Sequence, residues 1–290
     1  MAQPPVVQLF YNPVAGSYAA RRIAALAAAF EDAGARVVRS ESMCEVPRLD
    51  PAATHVCIAG GDGTIRHVAM MLARTGAQLP VAVCPAGTIN LIARESGAAR
   101  PLGRLADDLL HGGAGQGHYP VAITGAQGAT MFLACASAGP DSHAVAAVSS
   151  ALKRRIGRMA YAAAFLSVLR RWPRPAIRLE ADGRAVDCEA VYVAKGRYFA
   201  GPWSFAPSAR MADGLLHVVA LRRARRRDFL GFCLDMLAGR DPARRANVIA
   251  FTCSELAIGG DASLPVEADG DIVAHGPVRL AVHPAPLEFR

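Results

Sequence analysis

The sequence lacks several features that would assign it to a specialised class of protein. Its seven cysteines are odd in number and include no C-x-x-C pair, which argues against a disulfide framework or a zinc site and favours buried thiols in a reducing compartment. No run approaches the ~20 apolar residues of a membrane span, and the N-terminal residues lack the basic and apolar regions of a signal peptide. We therefore expect a cytoplasmic protein, which could still associate with a membrane at its periphery.

Aromatic residues are scarce and acidic residues are outnumbered. Aromatics make up 6% of the 290 residues, and 32 Lys and Arg face 24 Asp and Glu, for a formal charge of +8. Such an excess indicates an anionic partner such as a nucleotide, a nucleic acid or an anionic membrane, although a basic proteome would give the same balance. Nucleic acid is the least favoured of the three, because no known binding module is present.

Strand-like runs alternate with helical segments in the first part of the chain. The strands are predicted at residues 6–11, 36–39, 54–59 and 79–84, and the helices at 20–33, from 65 to about 73 and from about 91. Repeated strand–turn–helix units predict a parallel, doubly wound sheet. After a glycine-rich linker at 112–117, short runs separated by turn signals predict a mostly β second domain with helices at about 158–171 and 227–238.

Two glycine-rich turns follow neighbouring strands, and the first is Gly60-Gly-Asp62-Gly-Thr64. Glycine lets backbone N–H groups approach a phosphate, and the helix behind it carries partial positive charge at its N-terminus. An ordinary Gly-rich turn with a solvated aspartate is the alternative interpretation. The second turn, Pro85-Ala-Gly87-Thr88-Ile-Asn90, makes a shared phosphate site more favourable than helix capping by Thr64 and Thr88 alone.

Five motifs in a fixed order carry a resemblance to a known family: Asn12-Pro-Val-Ala-Gly16, residues 60–64, residues 85–90, Ala206-Pro-Ser-Ala-Arg-Met-Ala-Asp-Gly214 and Asp269-Gly-Asp271. Together they resemble the diacylglycerol kinase catalytic-domain family, which includes bacterial soluble lipid kinases, sphingosine kinases and ceramide kinases. The resemblance implies a Rossmann-like ATP-binding domain over residues 1–117, joined by 284–290, and a β-sandwich lipid-substrate domain over 118–283. It also implies an active site in the cleft between the two domains.

The same resemblance implies ATP and Mg²⁺ as cofactors. The residues expected to bind ATP are Asn12, Gly16, Ser17, Gly60, Gly61, Asp62, Gly63, Thr64, Gly87, Thr88 and Asn90. For Asn12 the alternative is a simple Asn-Pro turn, and for Asn90 it is a hydrogen bond to its own turn.

Phosphoryl transfer needs positioning, charge neutralisation and an acceptor for the hydroxyl proton. We predict that Asp62 orients the metal ion, and Asp269 resembles the general base of the family. Asp271 stands where many members carry Glu, and Glu267 is near enough in sequence to contribute. A hairpin turn is the alternative for any Asp-Gly pair, and Asp182-Gly183 serves as an internal comparison.

Asp213 resembles a structural Mg²⁺ ligand of bacterial members, and the carbonyl groups of Arg210 and Leu215 would complete that site. A plain turn is again the alternative. The chain departs from the family at Leu91, where many bacterial diacylglycerol kinases have Asp, and at Arg66-His67, where many members have Asn-Glu.

Basic clusters lie at residues 153–158, 170–174 and 222–227, and an apolar run at 159–169 separates the first two. A basic helix with an apolar face suits an anionic membrane, although the apolar run could equally be core flanked by solvated arginines.

We therefore predict an ATP- and Mg²⁺-dependent kinase that acts on a lipid hydroxyl at a membrane surface. The candidate acceptors are diacylglycerol, a sphingoid base and ceramide. The protein could act as a homodimer. A soluble small-molecule kinase of the NAD kinase type and a non-catalytic lipid- or nucleotide-binding regulator are the alternatives. The regulator is motivated by Leu91 and Asp271.

Overall fold

The computed structural model describes residues 3–13, 19–42, 47–87, 89–97, 100–147 and 172–290. The chain divides into two compact units. The first consists of Met1–His118 with Ala285–Arg290, and the second is Tyr119–Pro284.

The first unit has an α/β architecture. Its elements are β1 Val6–Tyr11, α1 Ala20–Asp32, β2 Arg36–Glu41, β3 His55–Gly60, α2 Asp62–Thr75, β4 Val81–Pro85, α3 Leu91–Glu95, α4 Leu102–His111, β5 Gln116–His118 and β18 Leu287–Phe289. The strands form one sheet in the order β2-β1-β3-β4-β18-β5. All neighbours are parallel except β18 and β5, which are antiparallel.

The core of this unit follows from the amphipathic pattern of α1. Ile23, Leu26, Ala27 and Phe30 recur at the spacing of one helix face and are buried. They pack with apolar residues of the central strands and of α4. The helix therefore covers the sheet, while the carboxyl ends of β1, β3 and β4 are left to the turns that carry the motifs.

The second unit consists mainly of antiparallel strands. Its elements are β6 Val121–Gly125, β7 Gly128–Phe132, β8 Cys135–Ala138, α5 Pro140–Ala146, β9 Ile177–Ala181, β10 Arg184–Cys188, β11 Ala190–Ala194, β12 Leu216–Leu221, α6 Arg226–Leu237, a 3₁₀ turn Pro242–Arg244, β13 Val248–Cys253, β14 Glu255–Gly259, β15 Pro265–Ala268, β16 Asp271–His275 and β17 Val278–Val282. They form two six-stranded sheets, β10-β9-β14-β17-β6-β7 and β13-β12-β11-β8-β15-β16. Buried residues of both sheets share one core, as in a β-sandwich.

Three continuous strand-like runs of the sequence, at 130–137, 185–194 and 248–258, each contain two strands that belong to different sheets. The first run contains β7 and β8, the second contains β10 and β11, and the third contains β13 and β14. A strand that turns a corner buries apolar side chains on both sides of the bend, so hydrophobicity alone does not mark the break.

The α/β first unit and the β-rich second unit confirm the predicted fold class. The glycine-rich stretch at 112–117 is not only a linker, because β5 begins within it and pairs with β18. The helix predicted at 158–171 lies outside the described residues. None of the described helices has both the length and the hydropathy needed to cross a bilayer.

Candidate active site

The two glycine-rich turns of the first unit touch each other. β3 ends at Gly60 and α2 begins at Asp62. A Cβ placed on Gly87 would lie 2.5 Å from the Cα of Gly61 and 2.7 Å from Oδ1 of Asn90. Only glycine allows backbones to approach this closely, so the sequence brings the ends of β3 and β4 together through Gly61 and Gly87.

Asn90 holds the second turn closed. Its Oδ1 accepts a hydrogen bond from the backbone N–H of Gly87, and its Nδ2 donates to the carbonyl of Gly87, both at 2.8 Å. Its own backbone is left-handed, with φ of 56°, which asparagine tolerates better than most residues. The turn-holding alternative for Asn90 is therefore present in the structure, and nucleotide binding by Asn90 stays a prediction.

Asp62 joins the first turn to the helix that follows the second turn. Its Oδ2 accepts from the backbone N–H of Leu91 and its Oδ1 from that of Ile92, each at 3.0 Å. Burial raises the pKa of Asp62, and the amide hydrogen bonds from Ile92, Leu91 and Asn90 act in the opposite direction. The carboxylate thus satisfies amides at the start of α3 from a position 29 residues away in sequence.

Asn12 and Thr64 meet at the same edge of the sheet. Nδ2 of Asn12 donates to Oγ1 of Thr64 at 3.3 Å, and Thr64 is buried. A Cβ on Gly60 would lie 2.5 Å from that of Thr64. These polar groups stand at the carboxyl ends of parallel strands, where ligands bind in open α/β sheets. Gly16, Ser17 and Thr88 lie outside the described residues, and the role of Gly63 stays a prediction.

The second unit places Asp269 and Gly270 in a two-residue hairpin between β15 and β16, with φ of 48° and 89°. Asp182 and Gly183 connect β9 to β10 in the same way, with φ of 49° and 72°. The hairpin alternative is thus present at both Asp-Gly pairs. What distinguishes Asp269 is the environment of its side chain, whereas Asp182 is exposed.

The carboxylate of Asp269 is buried and accepts three backbone hydrogen bonds. Its Oδ2 accepts from Leu133 at 2.9 Å, and its Oδ1 accepts from Ala134 at 2.9 Å and Cys135 at 3.2 Å. These amides lie at the corner between β7 and β8. Asp269 therefore fixes that corner, and the amides hold its carboxylate in a defined orientation.

A second buried acidic group lies beside this hairpin. Glu267 is 4% exposed; its Oε2 accepts from the hydroxyl of Ser137 at 2.9 Å and its Oε1 from the backbone N–H of Gly270 at 2.6 Å. Burial, reinforced by the nearby Asp141, raises the pKa of Glu267 to about 8. Burial also raises the pKa of Asp141. Asp141 and Ser137 were not predicted from the sequence, because neither belongs to a recognisable motif.

The turn at Asp213 contains an ammonium group at the place predicted for a structural Mg²⁺. Nζ of Lys195 lies 3.1 Å from the carbonyl oxygens of Arg210 and Met211. It also donates to the carbonyl of Asp213 and lies 3.3 Å from Oδ1 of Asp213. Oδ1 of Asp213 accepts from the backbone N–H of Leu215 at 3.2 Å.

These residues do not fit a divalent cation as the sequence reasoning predicted, because a fixed positive charge already contacts the oxygens. The sequence did not predict that Lys195 would lie at this turn. The one available signal was a charged residue directly after the apolar run of β11, Ala190–Ala194.

Within the described part of the chain, no three or more His, Cys, Asp or Glu side chains are grouped so that they could hold a metal ion by themselves. A Mg²⁺ that accompanies ATP takes part of its ligands from the phosphates and needs one or two protein carboxylates. Asp62 stands at the appropriate edge of the sheet for this. Asp271 begins β16, directly after the Asp269 hairpin.

Comparison with known proteins places the chain in a family. Residues 6–116 match the diacylglycerol kinase catalytic domain, and residues 134–289 match the YegS C-terminal NAD kinase beta sandwich-like domain. A Pseudomonas aeruginosa protein named "Probable lipid kinase YegS-like" is 31% identical over 94% of this chain and 86% of its own length. A Bacillus subtilis diacylglycerol kinase is 26% identical over 80% of this chain and 78% of its own.

Among solved structures, the crystal structure of a diacylglycerol kinase from Bacillus anthracis resembles the chain with a TM-score of 0.71 at 18% identity. It covers 98% of this chain and 96% of its own. At this level of identity the likeness supports the fold alone. The two domain matches and the P. aeruginosa relative show that the chain belongs to the diacylglycerol kinase catalytic-domain family. Its C-terminal domain is of the YegS type.

Proposed function

We propose that the protein is a lipid kinase that transfers the γ-phosphoryl group of ATP to a hydroxyl of diacylglycerol, a sphingoid base, ceramide or a similar lipid. The observation that supports this most strongly is the joined pair of glycine turns in the first unit. Gly61 and Gly87 bring the two turns into contact, and Asp62 links them to the start of α3. In a chain of this family, such an arrangement suits a triphosphate with its metal ion.

ATP would bind at the carboxyl ends of β1, β3 and β4. The amides at the start of α2 and the side chains of Asn12 and Thr64 are the groups available to the phosphates. When bound with ATP, Mg²⁺ supplies neutralisation of the phosphate charge, and Asp62 is the residue that we assign to it. The amides that hold the Asp62 carboxylate fix its direction before any ligand arrives.

Asp269 is the group that we assign as general base. The lipid hydroxyl oxygen forms a bond to the γ-phosphorus, the bond from that phosphorus to the β–γ bridging oxygen breaks, and ADP leaves with that oxygen. The hydroxyl proton passes to the carboxylate of Asp269. Support comes from the family resemblance and from the three amides that orient this carboxylate. In this proposal Asp271 assists Asp269.

The experiment is transfer of labelled γ-phosphate from ATP, with Mg²⁺, to lipids in mixed micelles and to NAD in parallel. The variants are Asp269→Asn and, as a matched control, Asp182→Asn in the exposed hairpin of the same type. We expect labelled lipid with the parent and with Asp182→Asn, and a loss of most turnover with Asp269→Asn while ATP still binds.

Each other outcome contradicts part of the proposal. Normal turnover with Asp269→Asn would overturn the assignment of the base. Label on NAD alone would indicate a soluble small-molecule kinase. ATP binding without label on any acceptor would favour a non-catalytic regulator.

We further propose that α6 contacts an anionic membrane, as a peripheral cytoplasmic enzyme requires. Leu230, Leu234 and Leu237 are 59%, 50% and 51% exposed and follow the i, i+4, i+7 spacing of one helix face. The opposite face is buried through Phe229, Phe232 and Met236. Four exposed arginines precede the leucines in the chain, at 222, 223, 226 and 227. Exposed leucine flanked by arginine suits an interface between lipid headgroups and acyl chains.

The other predicted basic clusters give less support to membrane binding. Residues 153–158, 170 and 171 lie outside the described residues, and Arg174 is engaged by Glu189 at 2.6 Å. The test is cosedimentation with vesicles of phosphatidylglycerol and of phosphatidylcholine. Each arginine near an anionic surface contributes about 1 kcal/mol, so Arg222→Gln with Arg223→Gln should weaken binding to the anionic vesicles by about 30-fold. Arg184→Gln, which replaces an exposed arginine on β10, should leave binding to the anionic vesicles unchanged. An equal loss of vesicle binding in this control and in the double variant would contradict the assignment of α6 as the membrane-binding surface.

A further inference from the structure

Lys195 is a buried charged residue that the proposed reaction does not use. It follows β11 directly, and its side chain is 0% exposed. The chain has only two lysines among its 32 basic residues, at 153 and 195. One of the two is therefore fully inside the β-rich unit, where a charged group is costly unless it is paired and hydrogen-bonded.

The partners of Lys195 are almost all oxygens of one turn. They are the carbonyl groups of Arg210, Met211 and Asp213 and the carboxylate Oδ1 of Asp213. An ammonium has three N–H donors for these acceptors, whereas a neutral amine has two and would direct a lone pair at a carbonyl oxygen. Burial lowers the pKa of Lys195, and the Asp213 carboxylate opposes that effect.

Other groups around the ammonium also suit a cation. The ring of Tyr119 lies with its centroid 5.7 Å from Nζ, which is within the range of a cation–π contact. The backbone N–H of Tyr119 donates to the carbonyl of Met211 at 2.9 Å, so the same turn is tied to the chain that enters β6. On the far side, Oδ2 of Asp213 lies 3.1 Å from Nε2 of His217.

The turn itself explains why a positive charge is needed. Three carbonyl oxygens and a carboxylate converge on one point, and without a cation their partial charges would repel each other. A divalent cation on such a turn would bind oxygens at 2.0–2.6 Å, as Mg²⁺ and Ca²⁺ do in proteins. Lys195 reaches the carbonyls of Arg210 and Met211 at 3.1 Å, a hydrogen-bonding distance. A compact ammonium can stand at the centre of such a site, whereas the planar guanidinium of arginine cannot.

We propose that the ammonium of Lys195 takes the place of the structural divalent cation that the family resemblance predicts at Asp213, so that the turn at 210–215 is stabilised without a metal ion. Any metal requirement of the protein then belongs to ATP binding in the first unit. This inference does not rest on the lipid kinase assignment, because it concerns only the folding of the second unit.

The test is thermal unfolding of the full chain without nucleotide, once in EDTA and once in millimolar Mg²⁺ or Ca²⁺. The parent protein should have the same Tm in all three conditions. Lys195→Met keeps most of the side-chain volume but leaves the Asp213 carboxylate without its cation, and should lower the Tm in EDTA by about 6–15 °C. Lys195→Arg, which keeps the charge but not its compact shape, should also lower the Tm.

Two results would overturn the proposal. One is a rise in the Tm of the parent protein with Mg²⁺ or Ca²⁺ that Asp213→Asn abolishes, because a metal would then bind at the turn. The other is a Tm for Lys195→Met equal to that of the parent in EDTA. If Lys195→Met does not fold, the comparison of the parent with Asp213→Asn still decides whether a divalent cation occupies the turn.

Discussion

The carboxylate of Asp62 accepts a hydrogen bond from the backbone N–H of Leu91 at 3.0 Å. This bond joins the glycine turn after β3 to the helix that follows the turn after β4. The donor, Leu91, stands at the position where the family resemblance implies aspartate in many bacterial members. Leu91 contributes its amide to the Asp62 carboxylate and its buried side chain to packing. The single carboxylate at this place therefore organises α3, and it is the group that we propose for Mg²⁺.

Replacing Asp62 should cost both stability and activity. Asp62→Ala leaves the amides of Leu91 and Ile92 without their acceptor, which should lower the free energy of unfolding by about 1–2 kcal/mol. Asp62→Asn keeps one acceptor oxygen and should lose less stability, but it removes the charge and should lose phosphoryl transfer equally. Urea unfolding and the lipid assay measure the two effects. Unchanged stability in Asp62→Ala would contradict the capping role.

The contact between Gly61 and Gly87 should tolerate no side chain. In Gly87→Ala the new Cβ would lie 2.5 Å from the Cα of Gly61, so the turns must separate, and ATP binding should weaken together with Tm. Gly103→Ala is the matched control, because nothing lies within 4 Å of the added carbon. Gly103 is exposed in α4, where alanine should leave stability unchanged or raise it by up to about 1 kcal/mol. Equal ATP affinity in the two variants, measured by titration calorimetry, would show that the close approach is unimportant.

The sequence predicts the parts of the site that glycine and Asp-Gly patterns mark. Gly61 and Gly87 stand at turns because only glycine allows the close backbone approach, and Gly60 leaves room for the side chain of Thr64. These requirements are visible in the residue type. The contacts made by side chains across the fold are not visible in this way. Asp269 meets Leu133 across 136 positions, and no local pattern relates the two.

Lys195 illustrates the same difficulty at shorter range. Its partner Asp213 lies 18 positions away, and a lysine after an apolar strand more often faces solvent than a ring of carbonyls. The breaks between strands of different sheets could not be predicted from the sequence for a different reason. At Glu189, between β10 and β11, the strand-like pattern continues on both sides of the break, because each half pairs within its own sheet.

The two Asp-Gly hairpins should respond very differently to alanine. Asp269→Ala removes the acceptor of three backbone N–H groups at the corner between β7 and β8, and should lower the free energy of unfolding by about 3–5 kcal/mol. Asp182→Ala changes an exposed turn with the same positive φ, and should cost about 1 kcal/mol, the strain of alanine in a left-handed conformation. Chemical denaturation of both variants measures the difference. A similar loss in the two would show that the amides at Leu133–Cys135 find other partners.

Glu267 should make stability fall as pH rises towards 8. Its pKa is raised to about 8 in the folded protein, whereas an unfolded glutamate titrates near about 4.3. Between those values the folded state keeps a proton that the unfolded chain has released, so the slope of unfolding free energy with pH is negative, at most about 1.4 kcal/mol per pH unit for one group. The contribution is fully present below about pH 4.3 and is lost as pH rises through 8.

Glu267→Gln should remove this slope, because glutamine imitates the protonated acid. Its oxygen can still accept from the backbone N–H of Gly270, and the hydroxyl of Ser137 can rotate to accept from its amide. Asp141, whose pKa burial also raises, is present in both proteins, so the difference between them isolates Glu267. Urea unfolding at several values between about pH 5 and pH 8 should show that the free energy of unfolding of Glu267→Gln increases relative to that of the parent as pH rises. Glu255→Gln, which changes an exposed pair with Arg279, should show no such relative increase. Parallel slopes for the parent and Glu267→Gln would show that Glu267 is ionised in the folded protein throughout this range.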